Sequence, residues 1–272
     1  MTILITGCSS GIGYFCAKEL HKEGHKVLAT CREKKDVERL KSEGLEAYVL
    51  DLNSSQSIKD GFEWAKSRDG GKIDVLFNNG AYGQPGAIED LSRDVLREQF
   101  ETNVFGWVEL TNLVIPIMRK SGFGRLVFNS SVLGFVSMKY RGAYNSSKYA
   151  IEGICDTLRL ELKGSGIDVV LIEPGPIKSR FRDNALKKFL QNIKWEESAH
   201  IEAYKNTLKR LESKSKTPFE LNEDAVYDAL LKSISAKNPK ARYRVTTPTK
   251  LFWFFKRVLP TKVLDNILGR VD

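Results

Sequence analysis

The chain has only four cysteines, Cys8, Cys16, Cys31 and Cys155, and they form neither close pairs nor a dense framework. That argues against a disulfide scaffold or a cysteine zinc site and fits a reducing, cytosolic compartment. Histidine is as scarce: His21, His25 and His200 match no H-E-x-x-H or related spacing, so no metal centre is expected. No G-x-S-x-G elbow occurs, which disfavours a hydrolase triad. No apolar run approaches the roughly 18 residues that span a bilayer. The strongest run, LFWFF at 251–255, is stopped by Lys256 and Arg257. The first residues, MTILITG, contain no charged leader, so the fold is expected to start at Met1. Residues 1–175 lack any Pro/Gly linker that would cut them into two domains.

What is present is an ordinary globular balance, 42% hydrophobic and 28% charged, with a net charge of +9. The charge is uneven. Residues 201–272 hold fifteen Lys or Arg against eight Asp or Glu. Such an excess can attract an anionic membrane, nucleic acid or an anionic ligand, or it can simply solvate helix faces. No nucleic-acid-binding signature accompanies it, so no nucleic-acid partner is expected.

Short apolar and β-branched runs recur at 2–6, 26–30, 47–52, 75–79, 125–131 and 168–175, separated by helix-like stretches. Strands alternating with helices imply βαβ units. The runs are continuously apolar rather than alternating, as a parallel sheet covered on both faces requires. The expected fold is therefore α/β, a Rossmann-type doubly wound parallel sheet in a single domain. Residues 180–216 become polar and Lys-rich around Phe189, Leu190, Ile193 and Trp195, and are expected to form a helical substrate lid over a core of residues 1–179. Beyond it, residues 217–272 read as a helix capped by Asn222, a strand in KNPKARYRV, and an amphipathic tail. In that tail, 247–268 sets aromatic beside basic residues. It suits either peripheral membrane contact or packing against its own domain.

TGCSSGIG places Gly7, Gly11 and Gly13 between the first strand and a helix beginning near Ile12. Glycines let a backbone approach a pyrophosphate, whose charge the helix N-terminus favours. The spacing differs from both G-x-G-x-x-G and the P-loop. At the end of the second strand, where an acid would bind the 2′-hydroxyl of NAD, the chain has Thr30, Cys31 and Arg32. A guanidinium there matches the 2′-phosphate of NADP. Farther on, Tyr144 and Lys148 are spaced to share a helix face, and Ser131 ends a strand thirteen residues before Tyr144. A free phenol titrates near 10, and bringing it to roughly 7 takes about 4 kcal/mol of phenolate stabilisation, part of which a nearby ammonium can supply. A serine hydroxyl can polarise a carbonyl.

Taken together, Gly7-x-x-x-Gly11-x-Gly13, NNGA at 78–81, Asn103 in TNVFG, Ser131, Tyr144-x-x-x-Lys148 and Pro174-Gly175 resemble the short-chain dehydrogenase/reductase family over residues 2 to about 180. The resemblance implies that Tyr144 is the acid/base and that Lys148 lowers its pKa and binds the nicotinamide ribose. Ser131 would orient the carbonyl, and Asn103 would hold a water in a proton relay. It implies a pyrophosphate loop of Gly7, Ser10, Gly11 and Ile12, a 2′-phosphate site at Arg32 and an adenine site at Asp51 and Leu52. Asn79 would lie beside the adenosine ribose, and Pro174, Ile177 and Ser179 would anchor the carboxamide. Two positions depart from the family pattern: Gly80-Ala81 reverses the usual Ala-Gly, and Ser179 replaces the usual Thr. ATCR, VLIEPGPIKSRF and NPKARYRVT resemble a branch of bacterial NADP-dependent aldehyde reductases, with retinol and 17β-hydroxysteroid dehydrogenases as neighbours. The implied enzyme is an oxidoreductase for a lipophilic aldehyde, ketone or alcohol, preferring NADP(H) with NAD(H) possible, and assembling as a homodimer or homotetramer. A catalytically inactive NADP-binding sensor or interaction protein is the alternative.

Overall fold

The computed structural model describes residues 1–213 and 215–271. Lys214 and Asp272, which belong to the expected lid and tail, lie outside the described residues. Seven strands form one parallel sheet: β1 (Thr2–Ile5), β2 (Lys26–Cys31), β3 (Glu46–Val49), β4 (Val75–Asn78), β5 (Gly124–Asn129), β6 (Ile167–Glu173) and β7 (Arg242–Arg244). Their order is β3-β2-β1-β4-β5-β6-β7. β1 lies inside the sheet, with Ile3 in register with Val27 on one side and Val75 on the other. The seventh strand lies where KNPKARYRV suggested one.

Because successive strand side chains point to opposite faces, the continuous apolar runs feed two cores. On one face, Ile3, Ile5, Ala29, Phe77, Val127 and Val170 pack with α1 (Gly11–Lys22), α2 (Lys34–Ser42) and α9 (Asp224–Ser235) through Leu20, Leu40 and Leu230. On the other, Leu4, Leu28, Leu76, Leu126 and Phe128 pack with α3 (Ser55–Lys66), α5 (Gly106–Ser121) and α6 (Gly142–Glu161) through Phe62, Trp107, Val114 and Ile151. Each fully buried Leu or Ile contributes roughly 1.5–3 kcal/mol. This double coverage is why the sheet can be wholly parallel. All four cysteines are buried and free.

The helix α4 (Arg93–Phe100) runs into α5 through one turn of π-helix, Glu101–Phe105. Residues 181–212 contain α7 (Phe181–Asn192) and α8 (Ile201–Glu212); Phe189, Tyr204 and Leu211 of these helices, with Ile193 just past α7, pack on Ala87, Leu91 and Ala143. Asn222 does not cap α9 through its side chain; the residue flanking that helix is Glu223, which already has helical backbone angles. The tail is two helices, α10 (Thr247–Val258) and α11 (Thr261–Leu268), rather than one continuous run. Pro260 separates them, since a proline inside a helix removes an N–H and clashes with the preceding turn. Among the described residues, no helix is long and apolar enough to cross a membrane and no cluster of three metal-type side chains occurs.

Candidate active site

The strand order reverses between β1 and β4, and the crevice beyond their C-terminal ends is where open α/β sheets bind ligands. The loop after β1 enters it in a conformation that requires glycine: Gly7 has φ +72° and Gly11 φ +56°. A Cβ on Gly7 would lie 2.5 Å from Gly80 Cα, and one on Gly13 would lie 2.4 Å from the Gly7 carbonyl oxygen. The reversed Gly80-Ala81 order thus puts a glycine where the two backbones meet. Asn79 holds this contact: its Nδ2 donates to the Thr6 carbonyl at 3.0 Å, and its Oδ1 accepts from Asn129 Nδ2 at 2.9 Å.

Ser10 precedes α1 without a side-chain cap, and the first turn carries no acidic residue. The amides around Ser10, Gly11 and Ile12 therefore face the crevice with the positive end of the helix, a setting that fits a pyrophosphate. Arg32 follows β2, well exposed, and pairs with Glu33 at 3.3 Å. Sequence reasoning missed Arg39, whose Nη2 donates to the Ser9 carbonyl at 2.7 Å and braces the glycine loop from α2. Asp51 closes the turn after β3 by accepting from Asn53 N at 3.0 Å, and Leu52 is buried beside Gly80 and Gly106. After β6, Pro174 accepts from Val132 N at 2.8 Å. Ile177 bridges to Leu221, and Ser179 lies against Gly11, where a Cβ on the glycine would be 3.0 Å away.

Across the crevice, Ser131 lies two residues past the end of β5 rather than in the strand, and caps the short turn Val132–Gly134 by accepting from Leu133 N at 3.1 Å. Tyr144 and Lys148 share one face of α6. Tyr144 packs edge-on against Phe181 of α7, with ring centroids 5.2 Å apart. Lys148 is 1% exposed; its Nζ donates to the Asn129 carbonyl at 2.7 Å and sits 4.4 Å above the Trp107 ring. Asn103 lies in the π-turn, a distortion common at functional sites, and is fully buried. Its Nδ2 donates to the Tyr82 carbonyl at 2.9 Å and to Ser147 Oγ at 3.2 Å. Ser147 in turn donates to the Tyr144 carbonyl at 2.8 Å. The residues between Tyr144 and Lys148 thus have structural tasks, because Asn145 also donates to the Met138 carbonyl at 3.0 Å. Helix spacing could have flagged both as inward-facing.

The electrostatics depart from the sequence expectation for the phenol. Burial pushes Tyr144 up to about 12, opposed by the Ser131 hydroxyl and by Arg141. The Lys148 Nζ is directed at the Asn129 carbonyl and lies 5.6 Å from the Tyr144 ring centre, so any help it gives a phenolate acts through its field across that gap and not through a direct hydrogen bond. Burial also pulls Lys148 down to about 7, opposed by the charge of Glu152 and by Cys155. At neutral pH the phenol therefore holds its proton.

Residues 1–189 match the family described as short chain dehydrogenase. The chain belongs to that family. It is 40% identical to the uncharacterized oxidoreductase YbbO of Escherichia coli K12, covering 98% of this chain and 93% of that one. It is 34% identical to the 17-beta-hydroxysteroid dehydrogenase type 6 of Rattus norvegicus, covering 98% and 87% of the two chains. A solved short-chain dehydrogenase from Streptomyces avermitilis superposes with a TM-score of 0.80 at 26% identity, covering 98% and 92%. In this short-chain dehydrogenase, α10 and α11 reach the candidate site as well. Phe252, Leu264 and Leu268 pack on Val132, Leu133 and Val136, just past Ser131, and Tyr144 borders the same cluster.

Proposed function

We propose that this oxidoreductase reduces a lipophilic aldehyde or ketone with NADP(H), and oxidises the corresponding alcohol in reverse. The observation that carries the reading is the convergence of Ser131, Tyr144 and Lys148 beside a glycine loop built for close backbone approach. The nicotinamide would supply the hydride. The loop of Gly7, Ser10, Gly11, Ile12 and Gly13 would hold the pyrophosphate, Arg32 the 2′-phosphate, Asp51 and Leu52 the adenine, Asn79 the ribose, and Pro174, Ile177 and Ser179 the carboxamide. Ser131 would hydrogen-bond the substrate oxygen, and Tyr144 would deliver its phenolic proton to that oxygen as negative charge develops there. Lys148 would stabilise the phenolate left behind and bond the nicotinamide ribose. Asn103 would fix the adjoining backbone and, with one Oδ1 lone pair to spare, hold the relay water.

Residues 180–216 serve in this reading as the substrate lid, with Phe181 as its contact with Tyr144. The test is NADPH consumption against aliphatic, aromatic, retinoid and steroid carbonyls; cofactor binding without turnover of any of them would favour the sensor reading instead.

The cofactor preference rests on Arg32. Arg32→Ala is expected to weaken NADPH about tenfold and leave NADH unchanged, as the loss of one charge-assisted contact would do. Equal effects on both titrations would remove that argument.

A peripheral membrane role for 247–268 is supported by Leu251, Phe254 and Val258, which lie exposed at helical spacing among Lys250, Lys256, Arg257 and Lys262. Leu251→Ser with Phe254→Ser is expected to abolish co-sedimentation with anionic liposomes while sparing turnover of a water-soluble carbonyl. Co-sedimentation at the original level would count against this role.

A further inference from the structure

A second set of charges lies behind Lys148, and the proposed reaction does not use it. Glu152 is one turn farther along α6 and only 8% exposed. Its Oε1 accepts from Ser130 Oγ at 2.6 Å, so the carboxylate is fixed to the residue beside Ser131. Its Oε2 pairs with Arg242 of β7 at 2.9 Å. Gly134, in the turn after Ser131, closes over it: a Cβ there would lie 2.9 Å from Glu152 Cγ. Arg242 also pairs with Asp156 at 2.7 Å and Glu173 at 3.0 Å, and Glu173 pairs with Arg244 at 3.0 Å. The set spans the ends of β5 and β6, the third and fourth turns of α6, and β7.

Burying a carboxylate is costly, and a structural position of this kind is often served as well by an apolar side chain. Lys148 supplies a reason for a carboxylate here. Its ammonium is buried, bonds a neutral carbonyl and, among the described residues, forms no ion pair. The groups facing it are Tyr144, Glu152 and Cys155 on its own helix, Asn129 at the end of β5 and Trp107 from α5. Glu152 is the carboxylate among them. A carboxylate in direct contact would fix the ammonium in an ion pair and cancel much of its field at the phenol. One turn away, it opposes the loss of the proton and leaves the N–H groups free.

We propose that Glu152 is the remote counter-charge of Lys148, a positioning residue that touches neither substrate nor cofactor and keeps the lysine cationic. Burial pushes the Glu152 carboxyl up, and Arg242, with the Ser130 hydroxyl, completes the device by opposing that rise, which favours the carboxylate over a carboxyl that has taken the proton itself. This rests on the reading of Lys148 as the group that stabilises the Tyr144 phenolate. The sign follows directly: a lysine loses its charge as pH rises through its pKa, and removing a nearby anion lowers that pKa.

The test compares wild type, Glu152→Gln and Glu152→Asp by 13Cε-lysine NMR, with Lys148→Met identifying the resonance, and by the pH profile of carbonyl reduction. In Glu152→Gln the Lys148 resonance is expected to titrate about one pH unit lower, and the high-pH limb of kcat to move down with it. Glu152→Asp should fall between the two. If the Gln variant shows no cooperative thermal transition, the same reading is taken from the Asp variant. A folded variant with unchanged Lys148 titration would overturn the proposal, whatever its kcat. The NMR titration needs no substrate. A shifted resonance with an unshifted activity profile would therefore leave Glu152 as the counter-charge and locate the failure in the role assigned to Lys148.

Discussion

Tyr144→Phe is expected to lower kcat for carbonyl reduction by about 10³-fold while leaving the NADPH affinity within a few-fold of wild type. The substitution keeps the ring, which packs edge-on with Phe181 and borders Val132 and Leu133, so the wall it forms survives. What disappears is the hydroxyl that would protonate the substrate oxygen. Positioned general acids contribute typically 10²–10⁴-fold, and no neighbouring group in this site can substitute. Ser131 already accepts from Leu133 N and has no adjacent base, and Lys148 is directed at Asn129. Stopped-flow turnover and fluorescence titration of NADPH separate the two effects. Undiminished turnover by the Phe variant would sink the assignment. A matching loss of NADPH affinity would move the residue from chemistry to binding.

The same tyrosine shows where sequence reading works and where it stops. Continuous apolar strands fixed a parallel, doubly covered sheet, because Ile3 and Leu4 must each meet an apolar face. Spacing put Tyr144 and Lys148 on one side of a helix. Spacing could not say how far the ammonium lies from the phenol, since that depends on the Asn129 carbonyl, a backbone atom fixed only by the end of β5. The direction of the Tyr144 shift was therefore beyond the sequence. So was the Glu152 network: Ser130, Glu173 and Arg242 are far apart in the chain and meet only because β5, β6 and β7 are neighbours in the sheet. The tail was legible in composition but not in shape, because both amphipathic readings hold. Phe252 and Leu264 pack inward while Leu251, Phe254 and Val263 remain exposed. The Gly80-Ala81 reversal acquires a meaning only from the distance to Gly7.

That contact gives the second large effect. Gly7→Ala is expected to weaken NADPH binding by about 100-fold, a loss of roughly 2.7 kcal/mol, and to lower the thermal midpoint. Two costs add. An alanine at φ +72° occupies the left-handed region, at roughly 1–2 kcal/mol. Its Cβ would also stand 2.5 Å from Gly80 Cα and 2.9 Å from Gly80 N, both main-chain atoms that no rotamer change can move. Relief requires the β1 and β4 loops to separate. That strains the Thr6 hydroxyl's bonds to the amides of Asn79 and Gly80, each 3.0 Å, and tilts the glycine loop away from the amides at the start of α1. Gly24→Ala isolates the first cost, since Gly24 has φ +82° with nothing within 4 Å of an added Cβ. It should lower the thermal midpoint modestly and leave NADPH binding unchanged. If Gly7→Ala behaved like Gly24→Ala, the close approach of Gly7 and Gly80 would be incidental to binding, and the pyrophosphate would have to be held elsewhere in the crevice.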